Sequence, residues 1–264
     1  MTETDRNVTV RRHDEAGHVV ELVLDRPQAH NALSTEMARD LTAATDELTQ
    51  DGSVRAVVLS SSSEAFCVGA DLKQRNSFSS ADLLAQRPYF RAAFAGVREL
   101  PVPVIAAVHG FALGGGLELA LSCDLIVCDE TAVLGLPEVT VGVIPGGGGT
   151  QLLARRIGAG RAADLIFTGR RIGVDEAERL GLLDRRVPAG EDRAAALELA
   201  GTVAANSPVG VRNAKRALRG GAGVDLATGL EFEDGAWQAT AFSADRVEGV
   251  AAWAEKRRPD WPGR

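Results

Sequence analysis

The chain is short of cysteine, lysine and aromatic residues, and each shortage removes a class of function. Its three cysteines, Cys67, Cys123 and Cys128, are odd in number and form no CxxC pair. That excludes an ordinary disulfide framework and argues against a zinc site. Lysine occurs only as Lys73, Lys215 and Lys256, so positive charge rests on arginine, and the net charge is −7. Such a balance lacks the clustered basic surface that a nucleic-acid backbone needs. There is no GxSxG turn, as a serine hydrolase of the α/β type would carry, and no glycine run ending in GK[ST]. No apolar run is long enough to span a bilayer, and the first residues, Met1-Thr2-Glu3-Thr4-Asp5, are polar and acidic. The expectation is a cytoplasmic protein with no metal, membrane or nucleic-acid partner.

What is present is enough for a full core. The chain has 264 residues and is 45% hydrophobic, which suits one large domain, or one domain with an appendage. Residues 8–13 and 18–24 read as strands around a turn at Glu15-Ala16-Gly17. Residues 35–49 read as a helix, with Met37, Leu41, Ala44 and Leu48 at helical spacing. Residues 54–59, 104–108 and 124–128 are apolar runs, as in buried strands, and 81–100 has helical periodicity. Strands and helices thus alternate, which predicts an α/β fold. From residue 191 onward only helical pattern remains. Ser207-Pro208 marks a helix start, and Gly220-Gly221-Ala222-Gly223 a break before helices at 226–241 and 245–256.

Four segments carry chemical information: Ala65-Phe66-Cys67-Val68-Gly69-Ala70-Asp71-Leu72-Lys73; His109-Gly110-Phe111-Ala112-Leu113-Gly114-Gly115-Gly116-Leu117-Glu118-Leu119; Gly135-Leu136-Pro137-Glu138; and Ile144-Pro145-Gly146-Gly147-Gly148-Gly149-Thr150-Gln151. Three glycines between an apolar strand and an apolar helix let the backbone approach a ligand closely. Unpaired amides at the helix start can then hold a developing negative oxygen. Glu118, flanked by leucines, is a candidate for burial, which raises a carboxyl pKa and suits it to proton transfer. Taken singly, each feature admits a plainer reading. The glycines can form a tight turn, Glu118 can answer its own helix dipole, and Glu138 can be a loop residue after a proline.

Taken together, and with Asp25-Arg26-Pro27 and Asn31-Ala32-Leu33, the segments resemble the crotonase, or enoyl-CoA hydratase/isomerase, superfamily over about residues 18–258. The resemblance implies a crotonase-like spiral of ββα units over 1–200 and a C-terminal helical trimerisation region over 201–264. It implies an oxyanion hole made by the amides of Ala70 and Gly115, and two acids, Glu118 and Glu138, flanking a water. It implies a coenzyme A groove formed by Arg26, Ala29, Ala70, Asp71, Leu72, Lys73 and Gly115. Coenzyme A would enter as part of the substrate, with no permanently bound cofactor, and the chain would form a homotrimer or hexamer. Both acids of the hydratase pattern are present, so the expected reaction is reversible hydration of a short-chain or branched 2-enoyl-CoA. Double-bond isomerisation, thioester hydrolysis, methylglutaconyl-CoA hydration and non-catalytic CoA binding are the alternatives.

Some residues stay open to two readings. Arg26 is either a phosphate contact or a solvated loop arginine, and His109 is expected to be structural rather than catalytic. Cys67 is expected to be a small buried residue, and Trp237, Phe242 and Trp253 to be packing or interface residues. Within the family the chain resembles in particular methylglutaconyl-CoA hydratases that also bind RNA through a lysine-rich helix. Here residues 36–55 carry Glu36, Asp40, Asp46, Glu47 and Asp51 against Arg39 and Arg55, so no RNA binding is expected. The acyl pocket is expected within 74–100, where Arg75 and Arg87 are either surface charges or receivers of a distal carboxylate.

Overall fold

The computed structural model describes residues 6–264; the acidic stretch 1–5 lies outside the described residues. Val8–Arg12 (β1) and Val19–Leu24 (β2) form an antiparallel hairpin. A short 3-10 turn, Pro27–Ala29, leads to Thr35–Gln50 (α1), whose start Ser34 caps by accepting from the Met37 amide. Met37, Leu41, Ala44 and Leu48 make one buried stripe on it, so the spacing read from the sequence is the spacing that packs. Ala56–Ser61 (β3), Leu72–Asn76 (α2) and Ser80–Glu99 (α3) follow. Next come Val104–Val108 (β4), Phe111–Leu113 (β5), Gly115–Ser122 (α4), Leu125–Asp129 (β6) and Val133–Gly135 (β7). Gly149–Ile157 (α5), Ala159–Thr168 (α6), Arg171–Gly173 (β8), Val174–Leu180 (α7) and Arg185–Val187 (β9) complete the mixed part. The rest is helical: Asp192–Ala204 (α8), Pro208–Gly221 (α9), Leu226–Ala241 (α10) and Ala244–Glu255 (α11).

The larger sheet has the order β1-β2-β3-β4-β6-β9 and is parallel except for the β1–β2 pair. Its middle strands read as unbroken apolar runs because both faces are covered. Val20, Leu22, Val57, Leu59 and Ala106 face the core that holds Met37 and Phe94. Alternate residues Val19, Ala56, Val58, Ile105 and Val127 pack against Ala196, Leu199 and Ala200 of α8. The smaller sheet is β5-β7-β8. Single bridges, Cys67 with Ala112 and Leu33 with Ala70, carry it past β5 into two neighbouring segments. The chain therefore supplies the sheets in turn: β4 then β5, β6 then β7. This is the α/β spiral expected from the sequence, with helices at its C-terminal end.

Four short elements, β5, β7, β8 and β9, were not legible as strands, since three residues give no alternation to detect. The division expected at residue 200 falls inside α8, whose apolar face closes the larger sheet.

Candidate active site

The smaller sheet ends where two backbone segments run side by side. Leu33 N–H donates to Gly69 O at 2.7 Å, and Asp71 N–H to Leu33 O at 2.9 Å. On the other side Cys67 N–H donates to Phe111 O and Leu113 N–H to Cys67 O, both at 3.0 Å. This pattern leaves the Ala70 amide without a protein acceptor among the described residues. Gly114, at φ +53°, then turns the chain from β5 into α4. Gly115 is the first residue of that helix, so its amide has no intrahelical partner. The approach of the two segments needs glycine: a Cβ at Gly116 would lie 2.0 Å from the Cys67 carbonyl oxygen, and one at Gly69 would lie 2.8 Å from the Leu113 carbonyl oxygen. Ala70 and Gly115, the two amides expected from the sequence, are thus brought together.

Glu118 sits on α4, three residues beyond Gly115, and is 3% exposed. Its Oε1 accepts from Gly147 N–H at 2.7 Å and Gly149 N–H at 2.8 Å. The carboxylate therefore answers the start of α5 as well as its own helix dipole. Burial raises its pKa, while the Gly149 and Gly147 amides and the charge of Arg87 pull the other way. Glu138 is not a plain loop residue but part of a 3-10 turn, Pro137–Val141. It points toward the glycine turn, where a Cβ at Gly114 would lie 3.1 Å from its Oε1. Its Oε2 is buried and has no hydrogen-bond partner among the described residues. Burial, then the charge of Glu118, pushes its pKa up to about 7. A bare buried carboxyl oxygen is costly unless the group is neutral or meets a ligand.

The remaining expected residues divide. Asp71 caps α2 by accepting from Gln74 N–H at 3.0 Å, and Arg26 Nη1 donates to Asp71 Oδ2 at 2.7 Å and to Ala32 O at 2.8 Å. Through Nη1 Arg26 fastens the Leu33 and Ala70 segments together, so it is not a merely solvated loop arginine. Ala29 lies half-buried in the turn before α1, while Leu72 and Lys73 are exposed on α2. His109 is structural as expected: Nδ1 meets Asp192 Oδ2 at 2.9 Å and Nε2 meets Ser63 O at 2.7 Å. The Asp192 bond raises its pKa to about 9. Cys67 is fully buried, and its Sγ donates to Asn31 O at 3.0 Å.

Reading the sequence missed Gly147 and Gly149 as partners of Glu118, though the glycine run containing them was visible. It also missed Asn31, buried at φ +55°, whose Oδ1 accepts from Arg26 N–H at 2.8 Å. Its Nδ2 donates to Ser61 Oγ and Phe66 O at 2.7 and 3.1 Å. Among the described residues no three His, Cys, Asp or Glu side chains come together as a metal site would require.

A sequence model for the family described as enoyl-CoA hydratase/isomerase matches residues 14–264. A Bacillus subtilis protein named as an enoyl-CoA hydratase/isomerase is 46% identical over 93% of this chain and 95% of its own length. The human mitochondrial methylglutaconyl-CoA hydratase is 40% identical over 98% of this chain and 78% of its own. The crystal structure of an enoyl-CoA hydratase from Bacillus anthracis superposes with a TM-score of 0.95 at 41% identity, covering 98% of this chain and 100% of that one.

Proposed function

The chain belongs to the enoyl-CoA hydratase/isomerase family, and we propose that within it this protein is a hydratase, adding water reversibly to a short-chain or branched 2-enoyl-CoA to give a 3-hydroxyacyl-CoA. The observation that carries the reading is the acid pair beside two free amides: Glu118 held by backbone donors, and Glu138 with a bare buried oxygen.

The thioester carbonyl accepts from the Ala70 and Gly115 amides, which bind the enolate-like oxygen better than the ground-state carbonyl. Loss of one such donor typically costs about 10²–10³ in rate. Glu118, whose charged form the Gly147 and Gly149 amides favour, takes a proton from water as its oxygen bonds to C3. Glu138, whose pKa of about 7 leaves a large share of it protonated at neutral pH, gives that proton to C2. A proton passing from Glu118 back to Glu138 resets the pair. Hydration by two acids calls on no permanently bound cofactor; coenzyme A arrives as part of the substrate. Ala29, Leu72 and Lys73 are the proposed edge of its groove, beside Asp71 and its partner Arg26.

Homo-oligomerisation is part of the proposal. Its support is the exposure of Trp237, Phe242 and Trp253, at 64%, 88% and 83%, on and between α10 and α11. Glu36, Asp46 and Glu47 stand exposed on α1, which supports the absence of RNA binding. Three free, buried cysteines suit the reducing cytoplasm. No described helix is long and apolar enough to cross a membrane.

The test is the loss of enoyl-thioester absorbance with crotonyl-CoA, in the wild type and in Glu118→Gln and Glu138→Gln. Rapid turnover that falls by about 10²–10⁴ in either variant supports the hydratase. A wild type that shifts a 3-enoyl double bond but consumes no water would make it an isomerase instead.

A further inference from the structure

After β3, β4 and β6 the chain passes from the larger sheet to the smaller one, and these three passages lie side by side. Ser63 stands on the first, His109 on the second and Thr131 on the third. His109 Nε2 meets Ser63 O at 2.7 Å, and Nδ1 meets Oδ2 of Asp192 at 2.9 Å. Asp192 opens α8 and is 3% exposed. The His109 carbonyl accepts from Phe66 N–H at 3.0 Å. Gly110, at φ +54°, is pressed so near the first passage that a Cβ would lie 2.2 Å from Glu64 O. Its N–H donates to Thr131 Oγ1 at 3.0 Å. His109 is thus the point where all three passages and α8 are joined.

A carbonyl oxygen only accepts, so Nε2 must carry a proton. A carboxylate also only accepts, so Nδ1 must carry one too. A neutral imidazole has a single N–H and cannot serve both, whereas the imidazolium can. The surroundings keep that charge: the Asp192 bond outweighs burial, Ser63 O and the charge of Asp129 assist, and the pKa stands at about 9. The other groups facing the ring are occupied or neutral. Asp129 accepts from Thr131 N–H and Gly190 N–H, both at 2.8 Å. Arg193 donates to Glu21 at 2.6 and 2.7 Å, and burial pushes the Cys128 thiol up to about 12.

We infer that the His109 imidazolium is a positioning residue of the oxyanion hole, fixing the Ser63 passage against its own. The first passage runs on to Ala70 and the second, through β5, to Gly115, so their register sets the distance between the two amides. When the ring loses a proton, Asp192 retains the one on Nδ1, because a carboxylate holds it better than a carbonyl does. The Nε2 link to Ser63 is then the one that breaks. A misplacement of about 1 Å at the reacting atoms costs about 10² in rate. The inference rests on the Ala70 and Gly115 amides polarising the thioester, not on water as co-substrate.

The experiment needs no turnover. Butyryl-CoA, a saturated thioester with no double bond to hydrate, is bound to the wild type from about pH 6 to about pH 10. Infrared difference spectra follow the thioester carbonyl stretch, which an oxyanion hole lowers. Nitrogen NMR follows the ring, identified as the signal that survives single replacement of His13, His18 and His30. Two ring protons and a lowered stretch are expected at neutral pH, with both changing together near pH 9. Asp192→Asn should move both changes down toward about pH 6.5; Glu138 is present in both proteins, so its own ionisation cancels in the comparison. His109→Gln should lose much of the lowering and, on crotonyl-CoA, about 10- to 100-fold in kcat at nearly unchanged KM. A ring with one proton at neutral pH overturns the inference, as does a stretch that ignores the ring's titration or is lowered at no pH. Should a variant fail to fold, the wild-type titration alone decides. A stretch that follows the ring in a protein that hydrates no enoyl-CoA sustains the inference and sinks the hydratase reading.

Discussion

Replacing Glu138 by glutamine should make the protein more stable at alkaline pH while removing its activity. The native carboxyl is raised from 4.5 to about 7, first by burial and then by Glu118. Between those values the unfolded chain has released this proton and the native state still holds it. The native state therefore binds more protons, and wild-type stability falls as pH rises through this window, then levels off. A glutamine carries no such penalty. Its advantage over the wild type is absent below about pH 4.5, grows up to about 7, and is constant above. A rise from 4.5 to about 7 sets an upper limit of about 3 kcal/mol. The residue is only half-buried, and solvent screening reduces the effect to about 1–2 kcal/mol. For a chain of this length that is a shift of roughly 2–8 °C in Tm. The glutamine amide sits where Oε2 has no partner and so carries a cost of its own, but that cost does not vary with pH. The readout is therefore the difference in Tm between variant and wild type at pH 8, less the same difference at pH 5. A value of zero, or a relative loss at pH 8, would refute the assignment of a raised pKa to a buried, catalytically poised Glu138.

Three further outcomes follow from the same geometry. In the wild type, kcat/KM should decline above pH 7 by about tenfold per unit as Glu138 loses its proton; a profile flat to pH 9 would remove Glu138 as the proton donor. Gly116→Ala puts a Cβ 2.0 Å from the Cys67 carbonyl oxygen and forces the two oxyanion segments apart. It should lower kcat by about 10²-fold and stability by roughly 1–3 kcal/mol, measured by turnover and chemical denaturation; unimpaired turnover would show that the close approach is not needed. Arg26→Met leaves Asp71, 7% exposed, without its ion-pair partner. Denaturation should show a loss of about 3 kcal/mol, and a raised KM for the thioester at unchanged stability would instead return Arg26 to a phosphate-binding role.

The parts of the fold legible in the sequence were those whose periodicity is long enough to register. The stripe Met37, Leu41, Ala44 and Leu48 gave α1, and the run Val104–Val108 gave β4 with its bounds intact. The smaller sheet was not legible, because its strands have three residues and two of its contacts are single bridges. Yet that sheet aligns the Ala70 and Gly115 amides. Those two positions came from motif resemblance, and the reason they meet is a register no local pattern encodes. Glu118 is similar: its place on an apolar helix was visible, but its hydrogen-bond partners lie 29 and 31 residues away.

Arg75 and Arg87 mark where local reading has to end. In the sequence they are two arginines in a helical stretch, and surface charge is the ordinary fate of such residues. What sets them apart is relational. Gln86 is buried and spends its amide on Thr35 and Gln74, leaving its carbonyl oxygen to fix Arg75. Arg87 lies against the glycine loop, where a Cβ at Gly146 would lie 2.9 Å from its Nη1.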